Sequence, residues 1–316
     1  MSDRGPFDVL TMGRVGVDLY PEQRGVPLAD VRTFARSLGG SPTNVAVGAA
    51  RLGHRAAVIT KVGDDALGGY VRQALRGFGV DDRFVGTDPE HRTPIVLCEL
   101  LDPASPTIVF YRRPTAPDME LSADDLDVDA IREARVFWTT GTGLSAEPSR
   151  AVTLGALESR GRRAITVHDL DFRPEFWSSV DEAREQQRRA LALATVAVGN
   201  VEECSMAVGE GSPEALAERL RERGIELAIV KLGGDGVLAS WPGGVERFPP
   251  VRVPVVNGLG AGDAFGAAVC HGLLEGWDAP RTIRFANAAG AYVAGQLACA
   301  DAMPDEAHVE ALLVDA

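Results

Sequence analysis

Two hydrophobic patterns alternate along most of the chain. Short, nearly continuous apolar runs recur at 7–13, 56–62, 136–140, 164–168, 195–199 and 226–231. Runs of this kind predict strands of a parallel sheet buried on both faces. Between them, apolar residues return at helical spacing in 42–52, 66–78, 147–159 and 212–223. Two later stretches, 261–274 and 280–297, read as helices rich in Ala and Gly. Ser41 before Pro42 predicts an N-cap with proline at the first helical position. The βαβ rhythm predicts an α/β fold: a mainly parallel central sheet with helices on both sides, in three layers. Residues 14–38 and 92–112 break the rhythm with β-rich pieces that no helix follows. They predict a small separate sheet carried as insertions. No repeat, low-complexity tract or linker divides residues 1–316, so one unit with a β appendage is expected.

Charge and composition narrow the function. Acids outnumber bases 45 to 32, giving a net charge of −13. A broad nucleic-acid surface is therefore not expected, because phosphate backbones need clustered positive charge. The most apolar stretch, 190–198, is too short to span a bilayer, and residues 1–10 lack a secretory pattern. A cytoplasmic protein is expected. The four cysteines form no CxxC pair and the five histidines no metal-ligand spacing, so reduced thiols and no zinc are expected. Only two of the 32 basic residues are lysines, Lys61 and Lys231, and neither precedes Ser or Thr. No Walker-type loop exists, so any phosphate must be held by backbone amides and arginine.

The run from Val255 to Phe265 contains Gly260-Ala261-Gly262-Asp263 where a strand-like segment gives way to a helix. Small residues let the backbone approach a ligand, and free N–H groups at a helix start attract anions. An aspartate there can accept a proton from an attacking hydroxyl, as phosphoryl transfer requires. Read alone, the same residues are equally a tight turn with Asp263 as a helix cap.

Gly39-Gly40-Ser41-Pro42-Thr43-Asn44 far upstream changes that balance. With the downstream Gly-Ala-Gly-Asp, it resembles the paired signatures of the ribokinase, or phosphofructokinase-B, family of sugar kinases. Further elements follow in family order: Asp18 after Gly13, the Gly63–Gly68 run, Asn200-Val201-Glu202-Glu203, Lys231-Leu232-Gly233-Gly234-Asp235-Gly236, and Asn287 in the penultimate helix. The resemblance spans about residues 7–305. It implies a ribokinase-like sandwich in which segments 14–38 and 92–112 form a lid over the acceptor. It also implies ATP and Mg²⁺ as partners in the chemistry.

By that resemblance, Gly260, Ala261 and Gly262 form the anion hole and Asp263 is the base. Glu203 and Asn200 hold Mg²⁺ through water. Lys231, Gly233 and Gly236 flank the nucleotide, and Asn287 lines the adenine pocket. Asp18, Gly40 and Asn44 face the acceptor hydroxyls. The family usually has Asp-Thr-x before Gly-Ala-Gly-Asp, where this chain has Asn257-Gly258-Leu259. A carboxylate is thereby lost near a site where many relatives bind a monovalent cation. The carbonyls of Asn257 and Leu259 remain as ligands, which leaves a K⁺ requirement open.

Four segments bear on the acceptor: 17–20 after Arg14, 110–118, 169–177 and 299–304. With the Asn257 variant they resemble the branch of the family that phosphorylates the 6-hydroxyl of 5-dehydro-2-deoxygluconate. Arg14, Arg112 and Arg173 are the implied clamps for such a sugar acid, since a guanidinium pairs with a carboxylate through two parallel hydrogen bonds. A 2-keto-3-deoxygluconate kinase, a neutral-sugar kinase, or a catalytically silent binding protein on the same fold are the alternatives. An exposed lid edge further implies a homodimer that covers it.

Overall fold

The computed structural model describes residues 5–314 apart from positions 24, 105 and 164. In chain order the strands are β1 (Val9–Met12), β2 (Gly16–Pro21), β3 (Phe34–Gly39), β4 (Ala56–Gly63), β5 (Val85–Asp88), β6 (Ile95–Glu99), β7 (Thr107–Tyr111), β8 (Val136–Thr140), β9 (Thr166–Asp169), β10 (Val196–Asn200), β11 (Leu227–Lys231), β12 (Val237–Trp241) and β13 (Gly244–Phe248). Nine of them form one sheet in the order β13-β12-β11-β10-β9-β8-β1-β4-β5. Its pairs are parallel from β11 through to β5, and β12 and β13 add antiparallel at the edge.

The helices are α1 (Ser41–Arg51), α2 (Ala66–Gly77), α3 (Val128–Glu133), α4 (Ser149–Arg160), α5 (Val180–Leu191), α6 (Val201–Val208), α7 (Pro213–Glu222), α8 (Ala261–Leu274), α9 (Ala279–Ala294) and α10 (Glu306–Val314). They cover both faces of the sheet. Trp138 joins a core with Val45, Phe265 and Phe285, while its neighbour Phe137 joins a second core with Leu157 and Leu220. Successive strand residues point to opposite faces, so one strand feeds two cores. The three-layer α/β expectation holds.

The insertions also fold as expected. β2, β3, β6 and β7 make a separate sheet in the order β3-β2-β6-β7. Thr107, Val109 and Tyr111 of β7 face outward, whereas Ile108 and Phe110 are half-buried and line the main cleft. Among the described residues no helix is long and apolar enough to cross a membrane.

Three differences have physical causes. The sequence pattern does not mark helix α5, because Gln186 and Gln187 interrupt the buried face that Ala183, Ala190 and Leu191 form. Gln187 Oε1 accepts from His168 Nε2 at 2.7 Å and Gln187 Nε2 donates to the carbonyl of Leu170 at 2.7 Å, so polarity is buried with partners. The cap of α1 is Gly40, not Ser41, which lies inside the helix. Gly40 has φ +103°, and a Cβ there would sit 2.4 Å from the carbonyl oxygen of Arg14. Of the expected strand 164–168, position 164 lies outside the described residues, and the strand observed begins at Thr166.

Helix α8 lies close against the sheet through Gly266, where a Cβ would come 2.5 Å from the Trp138 ring. Fully buried Trp138 has no room to yield. Gly266→Ala is therefore expected to cost about 1–3 kcal/mol through overpacking. Thermal unfolding should show a melting temperature lower by several degrees; an unchanged or raised value would mean that the helix seat is loose.

Candidate active site

A cleft of about 1070 Å³ opens at the C-terminal ends of the parallel strands, where ligand sites concentrate in α/β sheets. Its walls come from the lid sheet, β9–β11, α1, the start of α8, and α9. The start of α8 divides it. Gly260 caps the helix with φ +78°, and a Cβ there would run into Cys299 Sγ at 2.5 Å. The first helical bonds are made by the amides of Asp263 and Ala264, both to Gly260 O. The preceding amides of Ala261 and Gly262 thus lack helical partners and sit on the cleft wall.

Asp263 is held by Asn44, whose Nδ2 donates to Asp263 Oδ2 at 2.8 Å. Burial raises the Asp263 carboxyl above its ordinary range, and the Asn44 bond partly opposes that rise. Asn44 lines the cleft; its Nδ2 serves Asp263, and its Oδ1 is buried without a partner. Asp18 lies nearby on β2, pushed up to about 6 by burial although Tyr20 Oη donates to it at 2.8 Å. Tyr20 Oη also bonds Cys299 Sγ at 2.8 Å, which ties the lid strand to the loop beneath Gly260.

The three expected guanidinium clamps separate. Arg173 reaches the cleft: its side chain is 37% exposed, its Nη2 lies 3.3 Å from Asp171 Oδ1, and its Nε is buried without a partner. Arg14 lines the cleft, but its Nη2 donates to Asp171 Oδ2 at 3.1 Å and its Nε to Thr142 Oγ1 at 3.0 Å. Arg112 does not line it. The structure turns Arg112 to the buried Asp118 and places its guanidinium 5.1 Å from the Phe176 ring centroid. A buried guanidinium needs a carboxylate, and Asp118 supplies one within the chain.

At the other end, Asn200 and Glu203 form a reciprocal capping box on α6. Asn200 Oδ1 accepts from the Glu203 amide at 2.8 Å, and Glu203 Oε2 accepts from the Asn200 amide at 2.7 Å. The cap and the cleft use the same two residues, since both line the cavity. Asp169 ends β9 beside them, raised by burial to about 7 against the pull of Lys231. These clustered oxygen donors suit a hard divalent cation such as Mg²⁺. Gly233, Gly236 and Asn287 also line this end, and Asn287 Nδ2 donates to Pro249 O at 2.9 Å.

Asn257 is almost wholly buried and lies outside the cleft lining. Its Nδ2 donates to Leu297 O at 2.7 Å, and its Oδ1 accepts from the Leu259 amide at 3.0 Å. The backbone amides of Val256 and Asn257 also donate to Ala294 O at 2.8 and 3.1 Å, so the loop before Gly260 is stitched to the end of α9 and the residues just after it.

Segment 169–177 marks Asp169 and Asp171 in the sequence without a role for either, and nothing in the sequence marks Thr142. Asp171 is held at about 2: burial opposes its charge, but Arg14 and Arg173 overcome that. Thr142 Oγ1 donates to the same carboxylate at 3.0 Å. The signal available was Asp169-Leu170-Asp171 directly after an apolar run, two carboxylates at the end of a buried parallel strand.

Residues 7–306 match the family model described as pfkB family carbohydrate kinase. A protein named 5-dehydro-2-deoxygluconokinase from Shouchella clausii is 32% identical over 312 residues, covering 97% of this chain and 95% of that one. Among solved structures, a double-mutant fructokinase from Vibrio cholerae O395, in a fructose, ADP and potassium ion bound form, superposes with a TM-score of 0.87 at 27% identity, covering 98% of this chain and 99% of that one. A putative ribokinase II from E. coli, in complex with ATP and Mg²⁺, shares the fold with a TM-score of 0.89 at 22% identity, covering 98% and 100%. Sequence, fold and a cleft built around Gly260–Asp263 agree: the chain belongs to the pfkB family of carbohydrate kinases.

Proposed function

We propose that this chain transfers the γ-phosphoryl of ATP to the 6-hydroxyl of 5-dehydro-2-deoxy-D-gluconate, working in the cytoplasm as one kinase unit with a closing lid. The observation that carries the acceptor assignment is Arg173, a guanidinium in the cleft with an unpartnered Nε. It can pair with a sugar-acid carboxylate through two N–H groups, while Asp171 holds it in place. The 32% identical relative named for this activity supports the same choice.

In this reading Asp18, backed by Gly40, binds acceptor hydroxyls and Arg14 adds positive charge behind Asp171. Asn44 orients Asp263, which takes the proton from the attacking hydroxyl. Because phosphoryl transition states are loose, orientation is a large part of that role. The amides of Ala261 and Gly262, opened by the turn at Gly260, receive the charge that develops on the phosphoryl oxygens. Asn200, Lys231, Gly233, Gly236 and Asn287 border the nucleotide. Glu203 would hold Mg²⁺ through water, and bound Mg²⁺ supplies charge neutralisation on the phosphates. The lid sheet excludes water from the acceptor. Its outer strand β7 exposes Val109 and Tyr111, which a second copy of the chain would cover in a homodimer.

Initial rates on a panel of acceptors test the assignment. The 5-dehydro acid should be preferred over 2-keto-3-deoxygluconate, fructose and ribose. Arg173→Leu should raise KM for the acid by about 10–100-fold, the worth of a charged hydrogen-bond pair, with little change for a neutral sugar. Strong turnover of 2-keto-3-deoxygluconate with none of the 5-dehydro acid would overturn the assignment.

The monovalent cation gives a second test. Asn257 Nδ2 donates to Leu297 O and its Oδ1 accepts from the Leu259 amide, so hydrogen bonds of one side chain hold this loop without an ion. Activity in sodium or tetramethylammonium buffer should stay within about twofold of that in K⁺. A rise of tenfold or more on adding K⁺ would show that the amide does not substitute for the ion.

A further inference from the structure

Lys231, on the nucleotide side of the cleft, also stands close to the start of α8. It ends β11, in register with Asn200 of β10, and β10 pairs in turn with β9, which ends at Asp169. Its Nζ lies 3.3 Å from the point that a Cβ on Gly262 would occupy. The ammonium therefore stands over the first turn of α8, next to the amides of Ala261 and Gly262. Gly262 leaves it that space.

Its surroundings are unusual for a half-buried lysine. Asp169, Glu203, Asp263 and Asp171 outweigh the effect of burial and keep the ammonium charged. Yet among the described residues Lys231 Nζ makes no direct ion pair or hydrogen bond. The other lysine behaves conventionally: Lys61 Nζ lies 2.7 Å from Asp125 and donates to Glu120 O at 2.8 Å. A lysine that served only to neutralise carboxylates would close onto one of them, as Lys61 does with Asp125. Lys231 is suspended among four and directed at the helix start, on the wall of the cleft.

We propose that Lys231 is a catalytic residue whose ammonium donates to a non-bridging oxygen of the transferring phosphoryl group. It supplies from a strand end the cation that a P-loop lysine supplies in other phosphotransferases. The proposal rests on the kinase reading above. In the step, the acceptor oxygen bonds to the γ-phosphorus while the bond from that phosphorus to the β–γ bridging oxygen breaks. The hydroxyl proton passes to Asp263, ADP leaves with the bridging oxygen, and Lys231 stays protonated throughout. Its contact is to the equatorial oxygens of the moving group and is aligned best in the transition state, so it acts on kcat more than on ADP affinity.

The test compares wild type and Lys231→Met on whichever acceptor wild type phosphorylates fastest, with ADP affinity measured by calorimetry. ADP lacks the γ-phosphoryl, so it reports the nucleotide border alone. Lys231→Met should lower kcat by about 10²–10³-fold, the cost of removing one preorganised donor, and leave the Kd for ADP within about threefold. A kcat within threefold of wild type, or a loss that appears in the ADP Kd instead, overturns the proposal. Should Lys231→Met fail to fold, the pair Asp169→Asn and Lys231→Met/Asp169→Asn carries the test, since the double variant removes one charge of each sign. The double variant should fall at least 30-fold below Asp169→Asn in kcat, on the same order as the cost above. Equal rates would make the lysine a charge balancer. An inactive wild type overturns the kinase reading and the lysine's role with it, whereas an active wild type beside an equally active Lys231→Met overturns the lysine alone.

Discussion

Asp263, the base in the proposed reaction, sits in the first turn of α8 on the cleft wall, and its carboxylate must point at the acceptor. That constraint on Asp263 organises the rest of the molecule. The turn into α8 needs Gly260 in a left-handed conformation pressed on Cys299, and Cys299 in turn bonds Tyr20 of the lid. Asn44, at the start of α1, reaches across to Asp263 Oδ2. Helix α8 then lies flat on Trp138 through Gly266, which locks the helix start against the sheet. Lid, α1, α8 and sheet thus meet at one carboxylate, and each contact fixes its direction without making it permanently ionic.

The second requirement is local charge balance. The chain carries −13 overall, yet it handles phosphates and, in the proposed reaction, a carboxylate. Its answer is segregation. Arg14 and Arg173 converge on Asp171 and hold that carboxylate ionised, while burial keeps Asp18 and Asp169 near neutral pH values, at about 6 and about 7. Lys231 stays charged amid the acids at the strand ends. Free amides at the start of α8 add positive potential with no added side chain. A site built this way accepts anions on arrival even though the protein's long-range field repels them.

Much of the framework was legible in sequence because it rests on periodicity. Continuous apolar runs marked β4, β8, β10 and β11 to within a residue or two, since parallel strands are buried on both faces. Helix α5 escaped because Gln186 and Gln187 occupy core positions, and polar residues with buried partners leave no hydrophobic trace. In the cleft, Gly260 to Asp263 were legible as a tight turn into a helix, and Asn200 and Glu203 through the resemblance to the sugar-kinase family, not through periodicity. Ion-pair partners were not. Nothing in the segment around Arg112 indicates that Asp118 claims it, or that Arg14 turns to Asp171 in preference to the open cleft. Lys231 could be assigned to a strand end, but its height over Gly262 depends on how α8 crosses β11, which is a packing outcome.

The central claim is that Asp263, placed by Asn44 and the α8 start, is the base of the reaction. Its raised carboxyl sets the sign of the pH dependence: the working form is deprotonated, so activity should fall as pH drops through a value above the ordinary carboxylate range. The most direct measurement is kcat for wild type and Asp263→Asn across pH, with the melting temperature as a check on folding. The account expects Asp263→Asn to lose about 10²–10⁴ in kcat and to lose the acid limb of the profile. Equal rates, or an unchanged acid limb in the variant, would contradict it.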